Sequence, residues 1–200
     1  MNRMTPEGKA KLEELIARVM KDGQARGIAV GIVNAAGEIQ YENYFGYRDA
    51  ENRLPITRDT IFGMASVTKS FTALSIMQMQ QDGLLKVDDP VSRYIPEFTN
   101  KNQSEPVKLW HLMCHSGGYF PLPRIVVDKT AQEMGIEDSL DAELIYREDF
   151  AEEGIRRVAG RLDDQTRFTG RPGQRMSYCN DGFGLLSDIV RRHSGYGSFA

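Results

Sequence analysis

The feature that most constrains this chain is an apolar run over residues 66–82, which opens with a serine and a lysine three positions apart. Apolar residues occur on every side of the run, and this predicts a buried, central helix that ends at Gly83. In such a helix Ser66 and Lys69 share one face. Ser66 falls in the first turn, where backbone N–H groups are unpaired and the helix dipole favours negative charge. It can act as a nucleophile if a neighbouring group takes its proton.

The N-terminal part of the chain predicts a helix followed by a β-hairpin. Thr5 and Pro6 suit a cap and a first helical residue, an amphipathic stripe follows, and Gly23 is a natural stop. Residues 27–34 are apolar on both faces, which predicts a strand covered on both sides. Residues 39–47 alternate apolar and polar side chains, so we expect them to pair back on the first strand.

The remainder of the chain is helical in pattern, with no further convincing strand. Residues 50–61 form a polar loop, and residues 109–114 predict a short helix. Residues 139–161 are mostly helical in pattern. A last amphipathic helix is predicted from Asp181 to near Gly195. The chain therefore belongs to the α+β class.

We expect one structural unit made of two parts. Residues 1–61 supply the helix and hairpin of an α/β lobe, and residues 62–200 form a helical lobe. A two-stranded hairpin is marginal by itself, so it needs more strands. Residues 196–200 have the pattern of a helix start that is cut short, which predicts that the chain is a piece of a longer protein.

Composition excludes several classes of function. The net charge is −3 with both signs interspersed, so no nucleic-acid footprint is expected. No apolar run is long enough to span a bilayer, and the N-terminus has no signal-peptide core. We therefore expect a cytoplasmic chain, although a periplasmic chain whose leader had been removed would look the same. Cys114 and Cys179 are too few for a disulfide framework.

Four segments in a fixed order resemble the serine β-lactamase-related superfamily, and within it the branch of class C β-lactamases, esterases and penicillin-binding-protein-like D,D-peptidases. The order is more specific than any one segment. The resemblance implies an antiparallel sheet with flanking helices plus a mostly helical lobe, with the C-terminal strands of the sheet missing from this chain. The segments are Ser-x-x-Lys at 66–69, Gly-Leu-Leu-Lys-Val-Asp-Asp-Pro-Val at 83–91, Leu-Met-Cys-His-Ser-Gly-Gly at 112–118 and Pro-Gly-Gln-Arg-Met-Ser-Tyr-Cys-Asn at 172–180.

The resemblance also implies roles for individual residues. Ser66 becomes the acylated nucleophile, Lys69 and Tyr178 share the proton transfers, and Asn180 orients the substrate. The expected reaction is hydrolysis of an ester, amide or β-lactam through an acyl-enzyme, with no cofactor or metal. Tyr178 and Asn180 lie two residues apart, so in an extended segment their side chains point the same way.

The family's third motif, Lys-Thr-Gly or His-x-Gly on an edge strand, is not found in this sequence. His-x-Gly occurs at 115–117 and 193–195, but both lie at predicted helix ends and neither is followed by a strand. The second oxyanion donor is therefore expected to be missing. This leaves open a non-catalytic fragment or an inactive, ligand-binding homologue, and it makes a complementary C-terminal fragment a candidate partner.

Several candidate residues have competing interpretations. Asn180 could cap the helix that begins at Asp181. Cys179 is expected to be a small buried side chain and not a nucleophile. His111 and His115 have i, i+4 spacing, but no third metal ligand accompanies them, so local hydrogen bonding is the better interpretation.

Overall fold

The computed structural model describes residues 4–123, 129, 132–135 and 148–195, and of residues 148–150 only the backbone. These fall into two compact units, Met1–Gly63 and Met64–Ala200. The helical pattern predicted over 139–147 and the helix start predicted at 196–200 lie outside the described residues.

The N-terminal unit opens with helix α1, Pro6–Asp22. The Thr5 hydroxyl accepts a hydrogen bond from the Gly8 N–H at 3.1 Å, which satisfies one of the unpaired donors of the first turn. Gly23 caps the C-terminus. The predicted helix, its cap and its stop are confirmed.

A three-stranded antiparallel sheet, in the order β1-β2-β3, follows α1. Strand β1, Gly27–Val33, pairs with β2, Ile39–Asp49, so the predicted hairpin is confirmed. Strand β3, Leu54–Pro55, pairs with the end of β2. The prediction of a polar loop over 50–61 is therefore wrong at these two residues. A strand of two residues is too short to show the alternation on which strand prediction depends.

Strand β1 is covered on one face only, so the predicted coverage of both faces is wrong for this unit. Its side chains alternate between half-buried and exposed, with Val33 63 % exposed. Helix α1 contacts the sheet through Glu13, whose carboxylate accepts hydrogen bonds from Tyr41 and Asn43 of β2, each at 3.1 Å. At Gly46, φ is +76° and a Cβ would lie 2.2 Å from the Arg26 carbonyl oxygen, so only glycine fits.

In the second unit a 3-10 turn, Ala65–Val67, leads into helix α2, Thr68–Gln81. Gly83 follows the helix with a φ of +76°, as expected of a stop. The helix is not buried on all sides, and that prediction was wrong for the described residues. One face is buried through Thr72, Ile76 and Met79. The opposite apolar side chains are 43 to 57 % exposed; they are Val67, Phe71, Leu74 and Met77.

Three further α-helices of this unit have their bounds within the described residues. They are α3, Leu109–Met113, α4, Glu148–Asp163, and α5, Asn180–His193, which match the predicted helical segments within the described residues. Helix α5 packs against α2, α3 and α4. The core therefore centres on α5, and its largest fully buried side chains are Phe98, Ile76, Ile95, Leu109, Leu162, Leu185, Leu186, Ile189, Val91 and Val107. No helix among the described residues is long and apolar enough to cross a bilayer.

Candidate active site

Ser66 lies in the 3-10 turn that precedes α2, two residues before the α-helix begins. The residue before it, Ala65, has a φ of +46°, in the left-handed region that non-glycine residues rarely adopt. Such backbone strain is concentrated at functional sites, where the surrounding structure maintains it. The side chain of Ser66 is exposed at this turn.

The structure brings Ser66, Lys69 and Tyr178 together. The Tyr178 hydroxyl donates a hydrogen bond to Ser66 Oγ at 2.7 Å, although the two residues are 112 positions apart. Lys69 Nζ donates to the same oxygen over a longer distance of 3.4 Å. The Lys69 ammonium also lies 5.0 Å from the centroid of the Tyr178 ring and 5.7 Å from that of Phe183. Ser66 Oγ therefore has two proton-carrying groups within reach.

The electrostatics of this group favour the charged form of the phenol. The hydrogen bond with Lys69, then the hydrogen bond with Ser66, and to a smaller extent the charge of Lys69 lower the pKa of Tyr178 from 10.0. Tyr178 is 43 % exposed, so little burial opposes this shift. A phenol with a lowered pKa can take a proton from serine more readily than an ordinary tyrosine.

Asn180 is the first residue of α5 and is exposed. The N-cap position belongs to Cys179, so the structure does not support the alternative in which Asn180 caps the helix. Tyr178 and Asn180 are exposed while Cys179 between them is buried, as expected of alternating side chains. Among the described residues, no hydrogen bond joins Asn180 to Ser66, Lys69 or Tyr178. Its substrate role stays a prediction.

Cys179 lies beside the site, but its side chain is protonated and therefore unsuited to nucleophilic attack. It is 9 % exposed, and burial raises its pKa to about 12. The thiolate is the reactive form of cysteine, and at neutral pH this side chain is a thiol. The interpretation of Cys179 as a small buried side chain is confirmed.

His115 is a residue of the site that sequence analysis did not assign to it. Its Nδ1 accepts a hydrogen bond from the Cys179 N–H at 3.1 Å, and its carbonyl accepts one from the Ser177 N–H at 2.7 Å. Its ring lies 4.2 Å from the Tyr178 ring and 4.9 Å from that of Phe183. The sequence signal for His115 was that it lies in one of the four family-like segments and Tyr178 in another. Spacing along the chain cannot show that these two segments are in contact.

The local hydrogen bonding predicted for the histidines is confirmed for His111 and is wrong for His115, whose Nδ1 partner lies 64 positions away along the chain. His111 Nδ1 accepts from the Lys108 N–H at 2.9 Å, and His115 Nδ1 accepts from Cys179. No group of three or more His, Cys, Asp or Glu side chains suited to a metal occurs among the described residues. The two His-x-Gly sequences lie where expected, one directly after α3 and one at the end of α5.

His111 is buried and His115 is half-buried, and these two histidines predict that the chain loses stability in mild acid. Burial is the main cause that lowers the pKa of both His111 and His115 from 6.5. Below that pH the unfolded chain binds more protons than the folded chain, so the free energy of unfolding falls as the pH falls. We expect urea denaturation to give a smaller free energy at a pH of about 5.5 than at about 7.5.

A double variant, His111→Asn with His115→Asn, is the control for this pH effect. Asparagine keeps an acceptor at each position but does not titrate in this range. The difference between the two pH values should shrink in the double variant. A difference of unchanged size would mean that other groups cause it.

Comparisons with known proteins show the family of this chain. The model of the Beta-lactamase family matches residues 12–200. The chain belongs to the Beta-lactamase family. Esterase EstB of Burkholderia gladioli is 34 % identical over 191 residues, an alignment that covers 93 % of this chain and 45 % of EstB.

Two solved structures show the fold to which this Beta-lactamase-family chain belongs. An octameric penicillin-binding protein homologue from Pyrococcus abyssi superposes with a TM-score of 0.75 at 35 % identity, covering 95 % of this chain and 40 % of that one. A class C β-lactamase in complex with cefoxitin superposes with a TM-score of 0.70 over 96 % of this chain and 46 % of that one; at 23 % identity it bears on the fold alone. The β-lactamase/transpeptidase-like fold is confirmed. The chain spans less than half the length of these three proteins.

Proposed function

We propose that this chain carries the nucleophile and the proton-transfer groups of a serine hydrolase that acts through an acyl-enzyme. The observation that supports it most is the 2.7 Å hydrogen bond between Tyr178 and Ser66 Oγ, with the Lys69 ammonium beside both groups. A nucleophile, a base and a charge that stabilises the base are the parts that such a mechanism needs.

In the first half-reaction the phenolate of Tyr178 takes the hydroxyl proton of Ser66 while Oγ forms a bond to the carbonyl carbon of the substrate. The Lys69 ammonium stabilises the phenolate by its charge. When the tetrahedral intermediate breaks down, the bond to the leaving group is cleaved and Tyr178 returns the proton to the leaving oxygen or nitrogen. Ser66 is left as an ester of the acyl group.

In the second half-reaction water takes the place of the Ser66 hydroxyl. Tyr178 removes a proton from the water as its oxygen attacks the acyl carbon, and the bond between that carbon and Ser66 Oγ is then cleaved. The proton returns to Ser66 Oγ and the carboxylic acid leaves. Asn180, exposed two residues beyond Tyr178, is proposed to hold the substrate by its side-chain amide.

The proposed substrates are small esters, amides or β-lactams, since all three present a carbonyl carbon to the serine. An esterase among the relatives and the cefoxitin bound to a β-lactamase of the same fold support these classes. We further propose that a complementary C-terminal segment covers the exposed apolar face of α2 and supplies the second oxyanion donor. Losing one such donor costs about 100- to 1,000-fold in turnover.

The alternative is a chain that binds such ligands without turning them over. The missing third motif favours this alternative. That motif belongs on an edge strand, and no strand follows the site among the described residues. The two proposals differ in one chemical event, the formation of a covalent bond to Ser66.

Labelling of the folded chain with a serine-reactive phosphonate tests the proposal. Intact mass should show a single adduct, and a proteolytic digest should locate it on the peptide that contains Ser66, because this serine has a phenol and an ammonium group at its oxygen. Near-UV circular dichroism of the same sample confirms that the chain is folded. No adduct on a folded sample, or an adduct on another serine, would overturn the proposal in favour of the binding alternative.

A further inference from the structure

We propose that His115 is a positioning residue for Tyr178, which it holds by hydrogen bonds to the peptide groups on either side and by ring contact beneath the phenol. The inference rests on the proposed role of Tyr178 as the base. It assigns to His115 a task that depends on hydrogen-bond geometry and not on proton transfer to the substrate.

The two hydrogen bonds bracket Tyr178 along the chain. The carbonyl of His115 accepts from the N–H of Ser177 at 2.7 Å, and Nδ1 accepts from the N–H of Cys179 at 3.1 Å. Cys179 has an extended backbone, with φ −129° and ψ 109°. N–H groups two residues apart point to the same side of an extended segment, so one residue can satisfy both. The N–H groups of the residues before and after Tyr178 are thereby fixed to a single partner.

The backbone of His115 suits this double contact. Its φ is +53°, in the left-handed region, directly after α3 ends. Histidine, asparagine and aspartate are enriched in that region among non-glycine residues. Of the three, only histidine also provides an aromatic ring, and this ring contacts Tyr178 at 4.2 Å with an angle of 33° between the planes.

The role requires a neutral imidazole. Nδ1 can accept a hydrogen bond only when the ring proton is on Nε2, so a protonated ring would lose the bond to Cys179. Burial is the main cause that lowers the pKa of His115, and the positive charge of Lys69 on α2 acts in the same direction. The other titratable groups near it are Tyr178, the Cys179 thiol, and Asp181 of α5, whose carboxylate lies 3.4 Å from that thiol.

His111 provides a matched control within the same molecule. It is buried on α3, its Nδ1 accepts from a backbone N–H at 2.9 Å, and its ring contacts Trp110 at 4.0 Å. Among the described residues no hydrogen bond or ring contact joins it to Ser66, Lys69 or Tyr178. It makes the same kinds of interaction as His115 without touching the base.

The experiment compares His115→Asn, His115→Phe and His111→Asn with the unaltered chain. Asparagine keeps an acceptor near the position of Nδ1 and tolerates the left-handed backbone, whereas phenylalanine keeps the ring and loses the acceptor. The pKa of Tyr178 is read by NMR from tyrosine labelled with carbon-13 at Cζ, and its signal is assigned by its absence in Tyr178→Phe. The rate of phosphonate labelling is measured on the same samples.

In His115→Phe we expect the pKa of Tyr178 to rise toward 10.0 and labelling to slow by about 100-fold, since a displacement of about 1 Å can cost that much. His115→Asn should recover part of both values, and His111→Asn should leave both near those of the unaltered chain. An unchanged pKa of Tyr178 in folded His115→Phe, or an equal change in His111→Asn, would overturn the proposal.

The pH dependence of labelling tests the same role without the phenylalanine variant. Besides the decrease caused by protonation of Tyr178, the labelling rate should show a second decrease in acid with the pKa that NMR measures for the His115 imidazole. Only this second decrease should be absent in His115→Asn, and its retention in that variant contradicts the proposal. If no variant is labelled, the proposed function fails, and the pKa of Tyr178 in the variants still decides whether His115 positions it.

Discussion

Replacing Ser66 with alanine is expected to abolish the phosphonate adduct and to reduce the hydrolysis of p-nitrophenyl acetate by at least about 1,000-fold. The variant removes the only oxygen that lies within hydrogen-bond distance of both Tyr178 and Lys69 among the described residues. It leaves the fold intact because the side chain is exposed and the mutation removes no buried group.

The matched control for this variant is Ser70→Ala. Ser70 is also an exposed serine, and it lies one residue after Lys69 on α2. It should label and turn over at the rate of the unaltered chain. Retention of the adduct by Ser66→Ala, measured by intact mass on a folded sample, would show that the nucleophile is elsewhere.

Replacing Tyr178 with phenylalanine is expected to slow the labelling of Ser66 by about 100- to 10,000-fold, the range typical of losing a general base. Phenylalanine keeps the ring that lies against His115 and near Lys69, and loses only the hydroxyl 2.7 Å from Ser66 Oγ. The fall in rate therefore reports proton transfer and not packing.

The same variant should change the pH profile. A base acts in its deprotonated form, so the labelling rate of the unaltered chain should rise with pH through the pKa of Tyr178, which lies below 10.0. This rising limb should be missing in Tyr178→Phe. Tyr47→Phe, at another exposed tyrosine in the N-terminal unit, is the control and should leave the profile unchanged. If Tyr178→Phe keeps both rate and limb, Lys69 alone serves as the base.

Local sequence signals predicted the helices of this chain well. The cap at Thr5, the stop at Gly23 and the start of α5 near Asp181 are each encoded within a few residues, and the structure has all three. The unpaired backbone groups at a helix end are satisfied by residues close in sequence. A short stretch of sequence is therefore enough to predict where the helix begins or ends.

Features that depend on distant parts of the chain were harder to predict. Apolar residues around α2 indicated burial on every side, yet the structure buries only the face that packs against α5. The periodicity of apolar residues indicates which faces of a helix are suited to burial. Which of these faces is buried depends on the helices and strands that pack against it. The spacing of Ser66 and Lys69 predicted that these two side chains are neighbours, whereas the approach of Tyr178 to them was implied only by the family resemblance. The support that His115 gives Tyr178 depends on residues 64 positions apart.

The two left-handed residues beside the reactive groups bear on laboratory evolution of this chain. Ala65 precedes the nucleophile at φ +46° and His115 supports the base at φ +53°. Glycine at position 65 would relieve the strain of the left-handed backbone, but it would also make the turn around Ser66 more flexible. A library selected only for survival of heating would therefore favour such replacements, and catalysis would decline in its survivors. A selection that keeps both properties has to score turnover in the same round as heat resistance.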